Sequence, residues 1–429
     1  MAATGAATSW GEYLKIIQGP LENLMTEHAD LQKEIEFEAA DAEGRDLRYP
    51  MLVRAPHGVT HAYTGTAKRT DYNLNPPVSS RVQEIQIDGK EFTLTEDIAT
   101  GMIHAAKGGN KSDGRIVDQT LAAMRRSSQF YLELETINGG RPLTGIGVVE
   151  SVTDGGAGVC TIVITKATWA AGIWDELEGA PVDLYDDDGD PLRNTALSCT
   201  VTNVAPATRT ISLAGTEAEL DTITAGDVVM PAGWYGATAA AGTANTFKGL
   251  MGIASHTSGD FMGIDASAYG KLVGNVTDIG SAKFSILKAL ITRIRASSRG
   301  AKGDMTLLCS DWTFIDVMNE ASALRRYVES TKTKMEVGTK GIEFIVGGGV
   351  MTLRPHPLVM AGEVCGYVPK NVKYIGTHTP KMEWPSSEEK HLEDKKAVRF
   401  REGYGLGLLS RRGPANHFYA SGIVNESLT

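Results

Sequence analysis

The first 45 residues carry a thin apolar stripe on an otherwise polar segment. Apolar residues between Trp10 and Met25 recur at a spacing of three or four, which is the period of one helix face. Gly19-Pro20 interrupts the pattern, and an acidic stretch from Glu34 to Glu43 follows it. We therefore expect a helical arm whose stripe is covered, either by its own fold or by another molecule.

Residues 46–80 show no clear period and are punctuated by prolines. A long stretch of this kind predicts an extended excursion rather than a packed element. After it, Ile85 and Ile87 alternate with polar residues, Asp88-Gly89 is a turn dipeptide, and Phe92 and Leu94 alternate on the return. This pattern predicts a β-hairpin.

The strongest helical pattern covers residues 114–136. Ser112 or Asp113 can cap its start, and Asn138-Gly139-Gly140 can end it. At about 1.5 Å per residue, roughly 23 residues give a strut of about 35 Å. Its expected apolar face consists of Ile116, Val117, Thr120, Leu121, Met124, Tyr131, Leu132 and Leu134.

Residues 145–235 change to short β-like runs separated by turn residues. Regular short strands of this kind predict a small barrel or sandwich. Residues 236–246, rich in Ala, Gly and Thr, are predicted to be a linker. The predicted strands are Gly147–Val152, Thr161–Thr165, Val182–Tyr185, Leu197–Val204, Thr210–Leu213 and Val228–Met230.

Helices and strands alternate between residues 246 and 370, so the fold class is α+β. A β-rich tail from Ala397 to Val424 follows. The predicted helices are Phe284–Arg295, whose pattern is amphipathic, and Trp312–Val328. The predicted strands are Met305–Cys309, Ile342–Val346 and Met351–Arg354.

The net charge of −10 makes nucleic-acid binding through the phosphates a poor hypothesis, because that affinity comes largely from Lys and Arg. The four cysteines are Cys160, Cys199, Cys309 and Cys365, and none has CxxC spacing. We expect buried thiols in a reducing cytosol. The N-terminus lacks the pattern of a signal peptide, and no stretch approaches the roughly 20 apolar residues of a membrane span.

The candidate metal-binding and phosphate-binding motifs lack the residue spacing that such sites require. The acidic run Asp186–Asp190 would place Leu184 and Thr195 at the first and twelfth positions of a calcium loop, so we predict a solvated turn instead. Gly347-Gly348-Gly349 lacks the spacing of a phosphate-binding loop. His356 lies between two prolines, which indicates a rigid turn and not a ligand pair. We expect no catalytic residue, no cofactor and no metal.

Arg325-Arg326-Tyr327 ends a predicted helix. Two interpretations remain open for this group. The cations can complement the helix dipole, or the arginines and the aromatic ring can form an inter-subunit contact.

The order of these elements resembles the major capsid proteins of tailed bacteriophages, which have the HK97-like fold. The resemblance covers nearly the whole chain. It rests on the segment Ile85–Glu96 with the helix that follows, and on three later segments. These are Phe247–Ile253, the strand and helix from Thr306 to Tyr327, and Thr352–Pro357 followed by Ala361-Gly362-Glu363.

The resemblance implies a division of the chain into seven parts. These are an N-terminal arm (1–45), an extended loop or E-loop (46–84), a peripheral P-domain hairpin and spine helix (85–144), an inserted small β-barrel-like domain (145–235), a linker and P-domain return (236–264), an axial A-domain (265–365) and C-terminal P-domain strands (366–429). The loop residues His61, Tyr63, Arg69 and Tyr72 join Arg325, Arg326 and Tyr327 as expected inter-subunit contacts.

The implied function is a non-enzymatic coat subunit that assembles as hexamers and pentamers into an icosahedral head around double-stranded DNA. The expected partners are further copies of the chain, a separate scaffolding protein, a portal and a decoration protein. The expected location is the virion, after assembly in the host cytoplasm. The alternatives are an encapsulin-like nanocompartment shell, a phage tail or decoration protein, and a multidomain enzyme.

Overall fold

The computed structural model has mixed helices and strands, as the α+β prediction required. It describes residues 30–39, 46–59, 78–99, 111–187, 189, 192–194, 198–236, 239, 244–325, 341–346, 349–376, 381–383, 395–401 and 407–428. The described chain opens with helix α1 (Asp30–Glu34) and strands β1 (Phe37–Ala39), β2 (Asp46–Arg54), β3 (Arg81–Asp88) and β4 (Thr93–Ala99).

The predicted hairpin of β3 with β4 is wrong, although both strands exist. β3 pairs antiparallel with β2, and the two strands form a sheet of their own. β4 pairs with a strand from the distant C-terminal part of the chain, residues 395–401. The turn dipeptide and the alternation were therefore correct local signals. They could not show that stronger edge partners lie elsewhere in the chain.

Helix α2 (Lys111–Asn138) confirms the predicted strut and starts slightly earlier than its caps suggested. At about 1.5 Å per residue its 28 residues span roughly 42 Å. Its last two turns are buried on all sides. Polar side chains are enclosed there together with apolar ones, so they need partners from other segments.

All six predicted strands of the middle region exist and close into a barrel in the order β10-β5-β6-β9-β8-β7. Apolar side chains fill the barrel, and Trp174 lies so near Gly147 that a Cβ atom there would be 2.9 Å from the indole ring. The elements are β5 (Gly147–Asp154), β6 (Val159–Ile164), α3 (Ala171–Trp174), β7 (Pro181–Tyr185), β8 (Cys199–Ala205), β9 (Thr210–Ala214), α4 (Glu217–Leu220) and β10 (Val228–Pro231).

The barrel accounts for two smaller predictions. An antiparallel bridge between Tyr185 and Leu192 reverses the chain around the acidic run, as expected of a turn, and Arg193 pairs with Asp186 at 2.8 Å. Cys160 and Cys199 are free, buried thiols, and so are the two cysteines outside the barrel. The predicted linker lies largely outside the described residues.

The second half of the chain is organised around a six-stranded sheet with the order β13-β22-β17-β14-β16-β15. The boundary expected between the A-domain and the C-terminal P-domain strands, at residues 365 and 366, falls inside β17. In the same sheet, β22 from the C-terminal tail lies between β13 and β17. The elements are α5 (Leu250–Ala254), β11 (Asp260–Phe261), β12 (Ile264–Asp265), β13 (Asn275–Ala282), α6 (Ile286–Ser298), β14 (Met305–Cys309), α7 (Asp311–Arg325), β15 (Ile342–Val346), β16 (Gly349–Pro355), β17 (Val364–Tyr367) and, later, β22 (Phe418–Ile423).

Two three-stranded sheets, with the orders β1-β18-β21 and β19-β20-β4, and a two-stranded sheet of β11 with β12 complete the described fold. Their strands are β18 (Val372–Gly376), β19 (Lys381–Glu383), β20 (Lys395–Arg401) and β21 (Gly407–Ser410). Short 3₁₀ helices occur at Lys166–Thr168, Ala266–Ala268, Gly270–Leu272, Pro369–Asn371, Pro414–Asn416 and Glu426–Leu428.

A buried ion pair joins the end of α2 to the six-stranded sheet. Arg141 contacts both carboxylate oxygens of Glu363, at 2.8 and 2.5 Å, and Tyr419 donates its hydroxyl hydrogen to the same carboxylate at 2.6 Å. The guanidinium also lies over the Tyr419 ring. Because removal of one partner leaves a buried charge, such a pair holds the segments in one arrangement.

Glu135 makes the stability of this junction depend on pH. Burial raises the pKa of its carboxyl from about 4.5 to about 8. A hydrogen bond from the Phe247 N–H at 2.7 Å lowers the pKa and offsets only part of this rise. The folded chain thus keeps a proton that the unfolded chain loses. The stability linked to it is complete below the unfolded pKa and is lost as the pH rises through about 8.

We predict that Glu135→Gln removes this loss while keeping an acceptor for Phe247. The urea midpoint of the variant, relative to the parent chain, should rise between about pH 5 and pH 8. The control is Glu84→Gln, which changes an exposed carboxylate. Parallel pH profiles for the parent and Glu135→Gln would contradict this assignment.

Candidate functional site

A two-stranded ribbon is the first candidate site. β2 and β3 pair from Asp46↔Asp88 to Arg54↔Arg81, with a register shift between Leu52 and Arg54. No third strand joins this sheet among the described residues, so both outer edges of the ribbon lack a strand partner. Unpaired edges are surfaces on which another chain can pair or pack.

The base of the ribbon is fixed to the body of the protein. Ile85 and Ile87 are buried, and the N–H of Gln86 donates to the carbonyl of Met262 at 2.8 Å. Gly407 on β21 approaches so closely that a Cβ atom there would be 2.4 Å from the Ile87 side chain. Contacts on both sides therefore hold the ribbon at one angle to the body.

The far part of the ribbon is exposed and partly apolar. Leu52 and Val82 are directly paired across the strands, and their exposed fractions are 62% and 58%. Val59, further along, is 63% exposed. A cross-strand apolar pair in solvent contributes little to the folded monomer, whereas a partner surface would gain from covering it.

A docked N-terminal segment, residues 30–39, is the second candidate site. Leu31 is fully buried, and its N–H donates to Glu133 of α2 at 2.8 Å. β1 adds a parallel strand to β18. The ion pairs of the segment are Asp30–Arg354 (3.3 Å), Glu34–Arg354 (2.9 Å), Glu36–Lys373 (3.2 Å), Glu38–Lys373 (3.3 Å) and Glu38–Arg411 (2.5 Å).

These ion pairs explain the part of the acidic stretch that the structure describes, residues 34–39. Lys373 and Arg411 donate to the Glu38 carboxylate and hold its pKa below the ordinary value. Only Leu31 and Ile35 are buried apolar residues of the segment. Charge therefore contributes to the docking beside these two side chains and the β1–β18 pairing, and that contribution should weaken in salt.

His356 connects the same region to the core. Its Nδ1 accepts from the Leu358 N–H at 3.2 Å, which places the proton on Nε2, 3.2 Å from the buried carboxylate of Glu133. The turn between two prolines thus presents a buried hydrogen-bond donor to α2. Sequence reasoning missed this pair, because Glu133 lies more than two hundred residues away from His356.

The predicted contact residues stay predictions. Arg325 ends α7, but the structure describes only its backbone. Arg326, Tyr327, His61, Tyr63, Arg69 and Tyr72 lie outside the described residues. The sequence did not indicate Leu52 and Val82 as contact residues. Nothing in it showed that these two residues would pair across the ribbon or that both side chains would be exposed.

Within the described ranges, no group of three or more His, Cys, Asp or Glu side chains could hold a metal ion. The helices of the same ranges include none that is long and apolar enough to cross a membrane.

A scan against protein-family models and a search of curated proteins each give no match. Solved structures do match. A chain of the capsid asymmetric unit of cyanophage A-1(L) is 8% identical, with 95% of this chain and 96% of that chain covered and a TM-score of 0.53. A chain from the capsid of a native GTA particle is 7% identical (99% and 100% covered, TM-score 0.47), and one from the capsid of cyanophage P-SCSP1u is 9% identical (96% and 93% covered, TM-score 0.44).

The first of these similarities extends over almost the full length of both chains, so it concerns the whole fold. The chain has the same fold as that capsid chain, with mixed helices and strands, and this confirms the resemblance drawn from the sequence at the level of the fold.

We predict that Arg354→Gln loosens the N-terminal segment, because Asp30 and Glu34 lose their common cation. Partly exposed ion pairs contribute about 0.2–1 kcal/mol each, so the loss of two pairs should make backbone amides of residues 30–39 exchange hydrogen about two- to thirtyfold faster. Hydrogen exchange with mass spectrometry measures this. Arg48→Gln, which removes an exposed ribbon ion pair with Glu84, is the control and should leave these amides unchanged. Equal exchange in both variants would argue against docking by charge.

Proposed function

We propose that the chain is a major capsid protein that assembles as hexamers and pentamers into the icosahedral head of a tailed phage. The observation that carries the proposal is the ribbon, which is fixed at its base and exposes the apolar pair Leu52 and Val82 beyond it. The capsid fold supports the same conclusion.

A shell subunit needs a rigid body, and the buried end of α2 supports that requirement. The pair of His356 with Glu133 and the pair of Glu363 with Arg141 join α2 and the turn that follows it to two different segments. Side chains that are packed and hydrogen-bonded on all sides have one low-energy arrangement. Copies with the same rigid body can repeat the same contacts around a shell.

A shell subunit also needs edges that bind neighbours. The ribbon offers apolar area, and such area contributes roughly 25 cal/mol per Å² when it is covered. Each contact alone can be weak, because a closed assembly holds every subunit at several contacts at once. Identical chains in such a shell meet through different surfaces and close by rotation.

The proposed roles of the segments follow the division expected from the sequence. Residues 46–84 would reach over a neighbouring copy, and residues 265–365 would lie near the centres of hexamers and pentamers. The barrel within residues 145–235 would be an addition to the minimal fold. The net charge of −10 suits a wall that encloses DNA without binding its sequence. A scaffolding protein, a portal and a decoration protein are proposed partners, and the virion is the proposed location.

Expression of the full chain, alone and with its scaffolding protein, tests the proposal. Size exclusion and electron microscopy should show closed shells, or rings of five and six subunits. A stable monomer under both conditions would contradict a coat protein. Closed shells that load protein cargo without a portal would instead favour a nanocompartment.

We predict that deletion of residues 50–80 leaves a folded subunit that does not assemble, because the body keeps its core while the ribbon is lost. Leu52→Asp and Val82→Asp are milder variants that place a charge in the proposed contact. Val159→Asp is the matched control, since Val159 is also an exposed apolar strand residue but lies on the barrel. Thermal unfolding checks folding, and sedimentation measures assembly. Normal shells from the deletion would remove the ribbon from the assembly mechanism.

A further inference from the structure

Helix α6 exposes an apolar stripe to solvent. Leu287, Ile291 and Ile294 are 64%, 42% and 57% exposed, and their spacing of four and three places them on one face. The sequence indicated an amphipathic helix, for which apolar residues would be expected inside. A contiguous apolar stripe on the outside of a folded chain indicates a surface for another molecule.

The opposite face of α6 buries polar groups, so the helix cannot simply turn its stripe inward. Arg293 is fully buried, and its guanidinium donates to the carbonyl of Ala301 at 3.0 Å and to that of Gly303. At the start of the helix, Glu320 accepts from the Ile286 N–H at 3.0 Å. A rotation that hid the stripe would break these bonds and leave a buried cation without acceptors.

Helix α6 and the turn after it carry charges of one sign, whereas the acidic Asp316, Glu320 and Glu426 lie around the residues just before the helix. Residues 286–302 contain five basic residues and no acidic residue, although the chain as a whole has a net charge of −10. Arg295 is exposed beside the stripe. A partner surface should therefore be apolar in its centre and acidic at its rim.

The same chain has a surface of that chemistry. A cavity of about 190 Å³ lies between the barrel region and the start of α7, lined among others by Trp169, Trp312 and Ile315. Ile315 is 43% exposed, and Asp311 in the same lining is exposed on the first turn of α7. The cavity is thus apolar with an acidic residue at its edge.

The cavity is formed in advance by rigid contacts. Ala361 and Gly362 donate their N–H groups to the carbonyls of Trp169 and Ala167, at 3.0 and 2.7 Å. Gly172 packs so tightly that a Cβ atom there would be 2.6 Å from Pro357. The barrel region therefore forms one wall of the cavity at a fixed position.

We propose that the apolar stripe of α6 in one copy docks into this cavity in the next copy, so that the barrel region completes the acceptor site for a neighbouring subunit. The inference rests on the proposed shell function and assigns the barrel a task within it. Because donor and acceptor are different surfaces, the contact is heterologous and can close into a ring. Arg295 of the donor lies beside Asp311 of the acceptor in this arrangement.

Thiol cross-linking tests the contact in the assembled protein. Ile291→Cys and Ile315→Cys are combined in one chain, and assembled particles are treated with a short bis-maleimide. The four native cysteines are all buried, so the two new thiols are the reactive ones. A ladder of cross-linked species that ends at five and six subunits is expected, whereas each single variant should stay monomeric on a denaturing gel.

Other occupants of the stripe give different results. Dimers from Ile291→Cys alone would indicate that two stripes face each other. Cross-links to a peptide within residues 1–29, or to a scaffolding protein, would show that one of those covers the stripe. Particles that assemble but give no ladder would overturn the inference while leaving the shell function intact. A chain that never assembles would overturn both.

Charge reversal keeps the inference testable if the cysteine variants fold poorly. Arg295→Glu and Asp311→Arg should each reduce the yield of assembled particles about tenfold, and their combination should restore it. Thermal unfolding of each variant separates assembly from folding. A double variant that assembles no better than the worse single variant would rule out the pairing of these two surfaces.

Discussion

The burial of the last turns of α2 on every side is the constraint on which the rest of the structure depends. A helix enclosed in this way cannot leave its polar side chains to water, so each must find a partner. Glu133 accepts from the Leu31 N–H, Glu135 from the Phe247 N–H, and Asn138 donates to the Leu358 carbonyl. These hydrogen bonds bring the N-terminal segment, the region before α5 and the turn after β16 together around the end of α2.

This arrangement separates the parts of the chain that must be rigid from those that can bind. The end of α2, the barrel and one face of the six-stranded sheet share a buried core, and the other face of that sheet has a second core with α6 and α7. The ribbon and the stripe of α6 keep apolar side chains in solvent. A monomer gains nothing from such exposure, and a stable assembly gains from covering it. The docked segment at residues 30–39 is intermediate, since it combines two buried apolar side chains and a strand pairing with several partly exposed ion pairs.

Local patterns were sufficient to find most elements, and they failed where pairing or orientation mattered. The six strands of the barrel and the span of α2 follow from alternation, turn residues and helix-ending glycines, which act over a few residues. The β3–β4 hairpin was wrong because both strands found partners from distant parts of the chain. The amphipathic pattern of α6 was real, but nothing in it showed that Arg293 would lie inside and Ile294 outside.

The amino-acid sequence by itself determined where strands and helices form, that the chain is acidic, and that its element order resembles a capsid fold. These properties depend on side-chain period, turn chemistry and composition, all of which are local or additive. Only the tertiary structure decided which edges pair, which polar groups meet in the core and which apolar residues stay exposed. Those outcomes depend on free-energy competition between segments far apart in the chain, and no local pattern records the result of that competition.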